Sequence, residues 1–200
     1  SSTATVGIHN YWTGGTSIDW NTASNWSDNS VPSTSCADVY IPGGTPFQPT
    51  LSAGTATITN LHILSGGALT VTGATIQIAG TISNGGIFNV TNGTVELNGT
   101  TIQNIEGNDF HNNITGKNNT VQNLIISNNA GVNVASGAND TLNITGTLSF
   151  GTPSANLTTG NNITLKSSAA ATANVGMLAA GNTITGNVTV ERYFNVGSGG

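Results

Sequence analysis

The chain has 200 residues, a formal net charge of −5 and only 6% charged residues, against roughly a quarter in an average domain. Three Lys and Arg set against eight Asp and Glu form no basic patch, which argues against nucleic acid and anionic membranes as partners, because both need clustered cations. No apolar run approaches the roughly eighteen residues of a membrane span. The length suits one elongated domain with a cap.

The chain begins SSTATVGIHNYW, with neither an initiator Met nor an apolar signal core. The expectation is a mature secreted chain with its signal removed, or a recombinant segment. Residues 1–50 read as a Trp-rich cap and lead-in, because Trp12, Trp20 and Trp26 all fall there. Two roles fit these rings. Structurally, they form a lid over the first coil of a repeat. Functionally, they form a platform for stacking sugars. The lid is favoured, since a repeat stack exposes apolar surface at its ends and needs covering. Pro32, Pro42, Pro46 and Pro49 mark an irregular extended stretch. Asp38–Ile41 reads as the first regular strand. Asp19, Asp28 and Asp38 raise calcium as a candidate ligand, but their spacing matches no compact calcium loop, and Asp also caps turns. Cys36 is alone. It reads as a small buried apolar residue, or as the partner of a cysteine beyond residue 200.

Residues 51–200 read as a parallel β-helix. Its clearest stretch is 61–105, where short alternating segments are separated by Gly, Asn or Ser. The segments are Leu61–Leu64, Ala68–Val71, Thr75–Ile78, Thr81–Ile82, Ile87–Val90, Thr94–Leu97 and Thr101–Ile105. Three segments advance the pattern from Leu61 to Thr81, and three more to Thr101. A period of about twenty residues built from three short strands is the mark of a solenoid. Alternation sends Leu61, Ile63, Leu69, Val71, Ile76, Ile78, Ile82, Phe88, Val90, Val95 and Leu97 inward. Thr, Asn, Ser and Gln face outward, with His62 among them. Stacked coils then bury one apolar column, and Gly and Asn at corners accept positive φ.

Residues 106–120 interrupt the repeat with EGNDFHNNITGKNNT. Glu106, Asp109 and His111 are a conceivable metal set. A polar corner with Phe110 turned inward is the preferred reading, because the sequence supplies no defined second layer of ligands' partners. Strands resume at Val121–Ile126, Val132–Val134, Thr141–Ile144 and Thr147–Phe150. Leu157, Ile163–Leu165, Val175–Leu178, Ile184 and Val188–Val190 continue the column. Ala169–Ala173 reads as a loop or small-residue strand. The end, RYFNVGSGG, has no closing element, so the segment reads as the N-terminal part of a longer protein.

The chemistry-bearing residues are sparse. His9, His62 and His111 lie in unlike contexts, and no nucleophile elbow, phosphate loop or zinc motif occurs. Glu96 and Glu106 are about half a coil out of phase, which sets them on different faces rather than as a hydrolase pair. The cations that uronate chemistry needs are scattered as Lys117, Lys166 and Arg192. The expectation is therefore no catalytic residues, no cofactor and no assigned metal site. Ice binding through Thr rows is a further alternative. Thr-x-Thr occurs over Thr55–Thr59 and Thr70–Thr72, but it does not recur in phase.

The pattern Trp12-Thr13-Gly14, Asp19-Trp20, Asn25-Trp26, Val31-Pro32, Asp38-Val39-Tyr40-Ile41-Pro42 resembles the opening of large secreted β-solenoid proteins of Bacteroidetes. Leu157-Thr158-Thr159-Gly160, Ile163-Thr164-Leu165-Lys166-Ser167 and Ile184-Thr185-Gly186-Asn187-Val188-Thr189-Val190-Glu191-Arg192-Tyr193-Phe194 resemble them too. The resemblance implies an adhesin-like secreted or cell-surface protein, typically exported by the type IX secretion system. No sorting domain for that route is visible in these residues. Asp140-Thr141-Leu142 resembles the short O-glycosylation motif of such proteins, which makes Thr141 a candidate O-glycosylation site. The reading is an all-β, right-handed parallel β-helix of about 20 residues per coil with an aromatic N-terminal cap. Its expected role is a structural or adhesive module with extracellular partners, glycans among them, and with the secretion machinery. End-to-end self-association is a further expectation. The alternatives are a carbohydrate-binding module using the cap aromatics and a polysaccharide-degrading β-helix enzyme.

Overall fold

Alternating apolar residues fold here into a stack of parallel strands, a β-solenoid of about six turns. The computed structural model describes residues 8–33, 37–113, 119–137 and 141–195. Cys36, Lys117 and Asp140 lie outside the described residues. The first half holds β1 (Ile8–Tyr11), a 3-10 turn (Ala23–Asn25), β2 (Ala37–Ile41), β3 (Thr50–Leu51), β4 (Thr55–Ile58), β5 (Asn60–Ile63), β6 (Ala68–Ile78), β7 (Ile82–Asn84), β8 (Ile87–Leu97) and β9 (Gln103–Ile105). The second half holds β10 (Thr120–Ile126), β11 (Val132–Val134), β12 (Leu142–Ile144), β13 (Thr147–Phe150), β14 (Asn156–Thr158), β15 (Ile163–Leu165), β16 (Asn174–Val175), β17 (Thr183–Thr185) and β18 (Val188–Val190).

Every strand pairs in parallel with its equivalent one coil away. One sheet runs β1-β2-β5-β7 and another runs β9-β11-β14-β17. The third and largest follows β3-β6-β8-β10-β12-β15-β18, with β4 joined to β6 and β13 bridging β10 and β16. Leu61 pairs with Ile82, 21 positions on. Val132 pairs with Leu157, 25 on, and Leu157 with Ile184, 27 on. The coils therefore lengthen toward the C-terminal half. Extra residues are absorbed at the corners, where added length costs little once the strands are paired.

Two segments read as separate join into one strand. Ala68–Val71 and Thr75–Ile78 are the halves of β6, with register shifts between Thr70 and Thr75 and Gly73 at φ 70°. The corner is thus a bulged bend rather than a chain reversal. The inward set holds well: the expected core residues from Leu61 to Leu97 are buried, with Ile82 partly so. Val175–Leu178 is a correction. Only Asn174 and Val175 pair, and Met177 is 94% exposed. Gly176 and the following turn carry Met177 and Leu178 away from the axis. Within Ala169–Ala173, residues 169–171 form a loop closed by a bridge between Ser167 and Thr172.

The solenoid also starts earlier than Asp38. Asn10 lies beside Val39, and Tyr11 beside Tyr40, so β1 is the first strand of its sheet. The Trp-rich stretch is an excursion between β1 and β2. Asn25 anchors it. Its Oδ1 accepts from the Thr16 and Ser17 backbones, and its Nδ2 donates to Ser17 Oγ and the Asp19 carbonyl.

Candidate functional site

The three Trp side chains are built as a core. Trp26 meets Trp12 edge-on at 5.0 Å between ring centroids and Trp20 at 4.7 Å. Trp12 Nε1 donates to the Phe47 carbonyl at 2.7 Å, and Trp26 Nε1 to the Trp20 carbonyl at 2.8 Å. All three rings are buried. None offers a face on which a sugar could stack. Trp20 Nε1 is buried with no acceptor, a cost the ring's packing has to offset. Gly14 lets the chain pass close to this cluster. It holds φ +57°, and a Cβ there would lie 2.1 Å from the Phe47 oxygen and 2.7 Å from Trp12 Nε1. Gly14→Ala should cost about 2 kcal/mol, through left-handed strain and loss of the Trp12–Phe47 hydrogen bond. Equilibrium denaturation checks it; an unchanged midpoint would contradict this account of the lid.

An ordered row of aromatic rings lies instead on the outer face of the β1-β2-β5-β7 sheet. In-register pairing places Tyr11, Tyr40, His62 and Ser83 in one row. Tyr11 and Tyr40 stack at 4.8 Å, and Tyr40 and His62 at 4.5 Å with 14° between planes. A second row runs beside it. Asn60 Nδ2 donates to Asp38 Oδ1 at 2.7 Å, while Asn60 Oδ1 accepts from the Thr81 backbone and hydroxyl. His9 Nδ1 lies 3.8 Å from Asp38 Oδ2. Cross-strand stacking of this kind adds to sheet stability. Next to it, a cleft of about 200 Å³ opens between successive coils, lined by Gly80, Thr81, Ile82, Thr101, Ile102, Gln103, Asn104 and Glu106.

The remaining sequence candidates are dispersed. Asp38 belongs to the second row just described. Asp19 accepts from the Asn21 backbone and the Thr22 hydroxyl, and Asp28 from the Ser30 backbone, as turn-capping aspartates do. Glu96 sits in a polar ladder: Thr57 donates to Gln77, Gln77 to Glu96 Oε2, and Ser127 to Glu96 Oε1 at 2.6 Å. Thr55, Thr75 and Thr94 align on successive coils, whereas the neighbouring column is Thr57, Gln77 and Glu96. The threonine lattice is therefore one column wide.

At the corner after β9, Phe110 is buried against Phe88, with centroids 5.6 Å apart. Asp109 turns inward, where Oδ2 accepts the Glu106 backbone N–H at 2.8 Å. Burial pushes its carboxyl up to about 7, against the lowering effect of that hydrogen bond; the nearby Glu106 charge adds to the rise. Glu106 is exposed, and His111 lines a separate pocket with Asn84 and Asn108. Among the described residues, no three His, Cys, Asp or Glu side chains converge as metal ligands would. Thr141 is half-buried, immediately before β12.

Sequence reasoning missed two groups. The buried Gln103 and Asn128 bind coils together. Gln103 Nε2 donates to the Ile78 and Gly80 carbonyls, and Asn128 Nδ2 to Gln103 Oε1. The Tyr11–Tyr40–His62 row was also missed, although the matching phase of Tyr11 and Tyr40 with His62 was a readable signal.

Fold and surface together define a parallel β-solenoid with an aromatic lid and a solvent-facing aromatic row. Residues 11–108 match the sequence model of a family described as a domain of unknown function, DUF8693. The matched stretch covers the lid and the coils through β9. No curated protein and no solved structure matches the chain.

Proposed function

We propose that this chain is a non-enzymatic structural and adhesive module of a secreted or cell-surface protein, of the adhesin-like Bacteroidetes kind its sequence resembles. The observation that carries the reading is the apolar face of the last coil. Ile163 and Leu165 are buried, but their register partners Val188 and Val190 are not, with Val190 57% exposed. Phe194, a few residues on, is 77% exposed. Lys166 and Glu191 form an ion pair on the adjoining rim. Such a face offers apolar surface for end-to-end association, as each earlier coil is covered by its neighbour. A stack of this type is a rigid rod, suited to holding a binding surface away from a cell.

The uncharged, hydrogen-bonded exterior supports the same role. Glu96 is engaged by Gln77 and Ser127, so it acts as a ladder member. Export by the type IX route and glycosylation at Thr141 belong to this proposal. The test is to follow the native protein in its own cells by surface protease shaving, intact mass and attachment of cells to a substratum. Surface exposure, a mass above 20.1 kDa and weaker attachment on deletion are expected. Retention in the cytoplasm would overturn the proposal.

A further inference from the structure

We propose that the Tyr11–Tyr40–His62 row, together with the cleft beyond Ser83, is a docking strip for a neutral polysaccharide. The proposal rests on the adhesive reading above and names its ligand class.

The first observation is where the aromatic side chains lie. The chain has three Tyr and three His. Tyr11, Tyr40, His9 and His62 all sit on this one sheet face. The second is a ring face left open. Tyr40 covers one side of His62, but the next residue in the row is Ser83, whose side chain is too short to cover the other. The ladder therefore stops at an uncovered ring. The third is what lies beyond it. The cleft starts on the same coil as Ser83 and presents Ile102, which is 61% exposed, beside Thr81, Thr101, Asn104 and Glu106. Asn104, on the first strand of the neighbouring sheet, lines the far side of that cleft.

This combination suits a pyranose. One face of the sugar is a sheet of C–H groups that lies against an aromatic ring or an isoleucine. Its rim carries hydroxyls that need both donors and acceptors, which Thr, Asn and carboxylate side chains provide. Charge decides the class of glycan. The charged side chains of the strip and cleft are the acids Asp38 and Glu106, and the chain carries −5 overall. A uronate or sulfated polymer would meet like charge; a neutral one would not. The row and the cleft follow one another along the axis from β1 to β9, so an extended polymer can lie along them.

The test is affinity electrophoresis of the full 200-residue chain in gels containing soluble β-glucan, mannan, xylan or galactan, with polygalacturonate as the anionic comparison. At least one neutral polymer should retard the protein, and polygalacturonate should not. His62→Ala removes the ring and should weaken retardation at least about tenfold. Ser83→Tyr should do the same by covering the His62 face. It extends the stacked row, so its denaturation midpoint should equal or exceed that of the parent, which separates lost binding from lost fold. Thr164→Ala, on the largest sheet, should bind unchanged. The proposal fails if no neutral polymer retards the parent chain, if Ser83→Tyr binds normally, or if polygalacturonate binds best. Surface display and cell attachment without polysaccharide retardation would sink the docking strip alone, leaving the adhesive role standing.

Discussion

Replacing Trp26 with Ala should lower stability by about 4 kcal/mol, within the usual range for truncating a buried Trp. Trp26 stands between the other two indoles, edge-on to both. Its Nε1 also satisfies the Trp20 carbonyl. Removing it opens a cavity the size of an indole and leaves a buried acceptor unpaired. The loss should be local in origin and wide in effect. A solenoid is held by nearest-neighbour contacts, so an unsealed first coil frays and passes the defect to the next. Guanidinium unfolding followed by Trp fluorescence and far-UV circular dichroism would show it. The fluorescence transition should move to lower denaturant ahead of the strand signal. A loss below about 1 kcal/mol would mean the lid is not a structural seal.

Stability should also fall as pH rises from about 4 to about 7, with Asp109 as the source. The folded carboxyl titrates at about 7, well above an ordinary aspartate, because burial penalises its charged form. Between those limits the folded chain holds a proton that the unfolded chain releases. The stabilisation is therefore present below the unfolded value and is lost as pH climbs through the folded one. The full loss amounts to about 4 kcal/mol, the free energy that separates the folded carboxyl from an ordinary one. Above pH 7 this contribution is flat. Asp109→Asn keeps the shape and the acceptor for the Glu106 N–H, and it has no proton to lose. Urea midpoints from pH 4 to pH 8 should therefore converge for the two proteins at low pH. The variant should be the more stable at pH 8. Parallel curves across that range would exclude Asp109 as the source. The consequence reaches beyond one residue, because the Asp109 corner closes on Asn84 through the Asn108 and Asp109 carbonyls.

Much of the architecture was legible before any coordinates. Phe88, Val90, Val95 and Leu97 alternate with polar residues, and that alternation alone puts them inside. Phe110 was readable as inward in an otherwise polar corner. The burial of Asp109 was not, because a carboxylate carries no local sign of which way a corner will turn it. The Val175–Leu178 stretch misled for the opposite reason. Its apolar residues keep the strand pattern, but pairing ends at Val175, and Met177 and Leu178 lie in solvent.

The site shows the same division. Trp12, Trp20 and Trp26 were visible as a group, and only packing decided that their faces are consumed by one another. Tyr11, Tyr40 and His62 are 22 to 29 residues apart, and pairing of β1, β2 and β5 stacks them. By itself, the sequence determined the period, the inward column and the strand type, because these follow from local alternation and the tight corners that Gly and Asn permit. Tertiary structure decided coil length, the buried carboxyl and which aromatic rings meet solvent. Each of these depends on which residue lies one coil away, and register across a corner of variable length is not written in any local stretch.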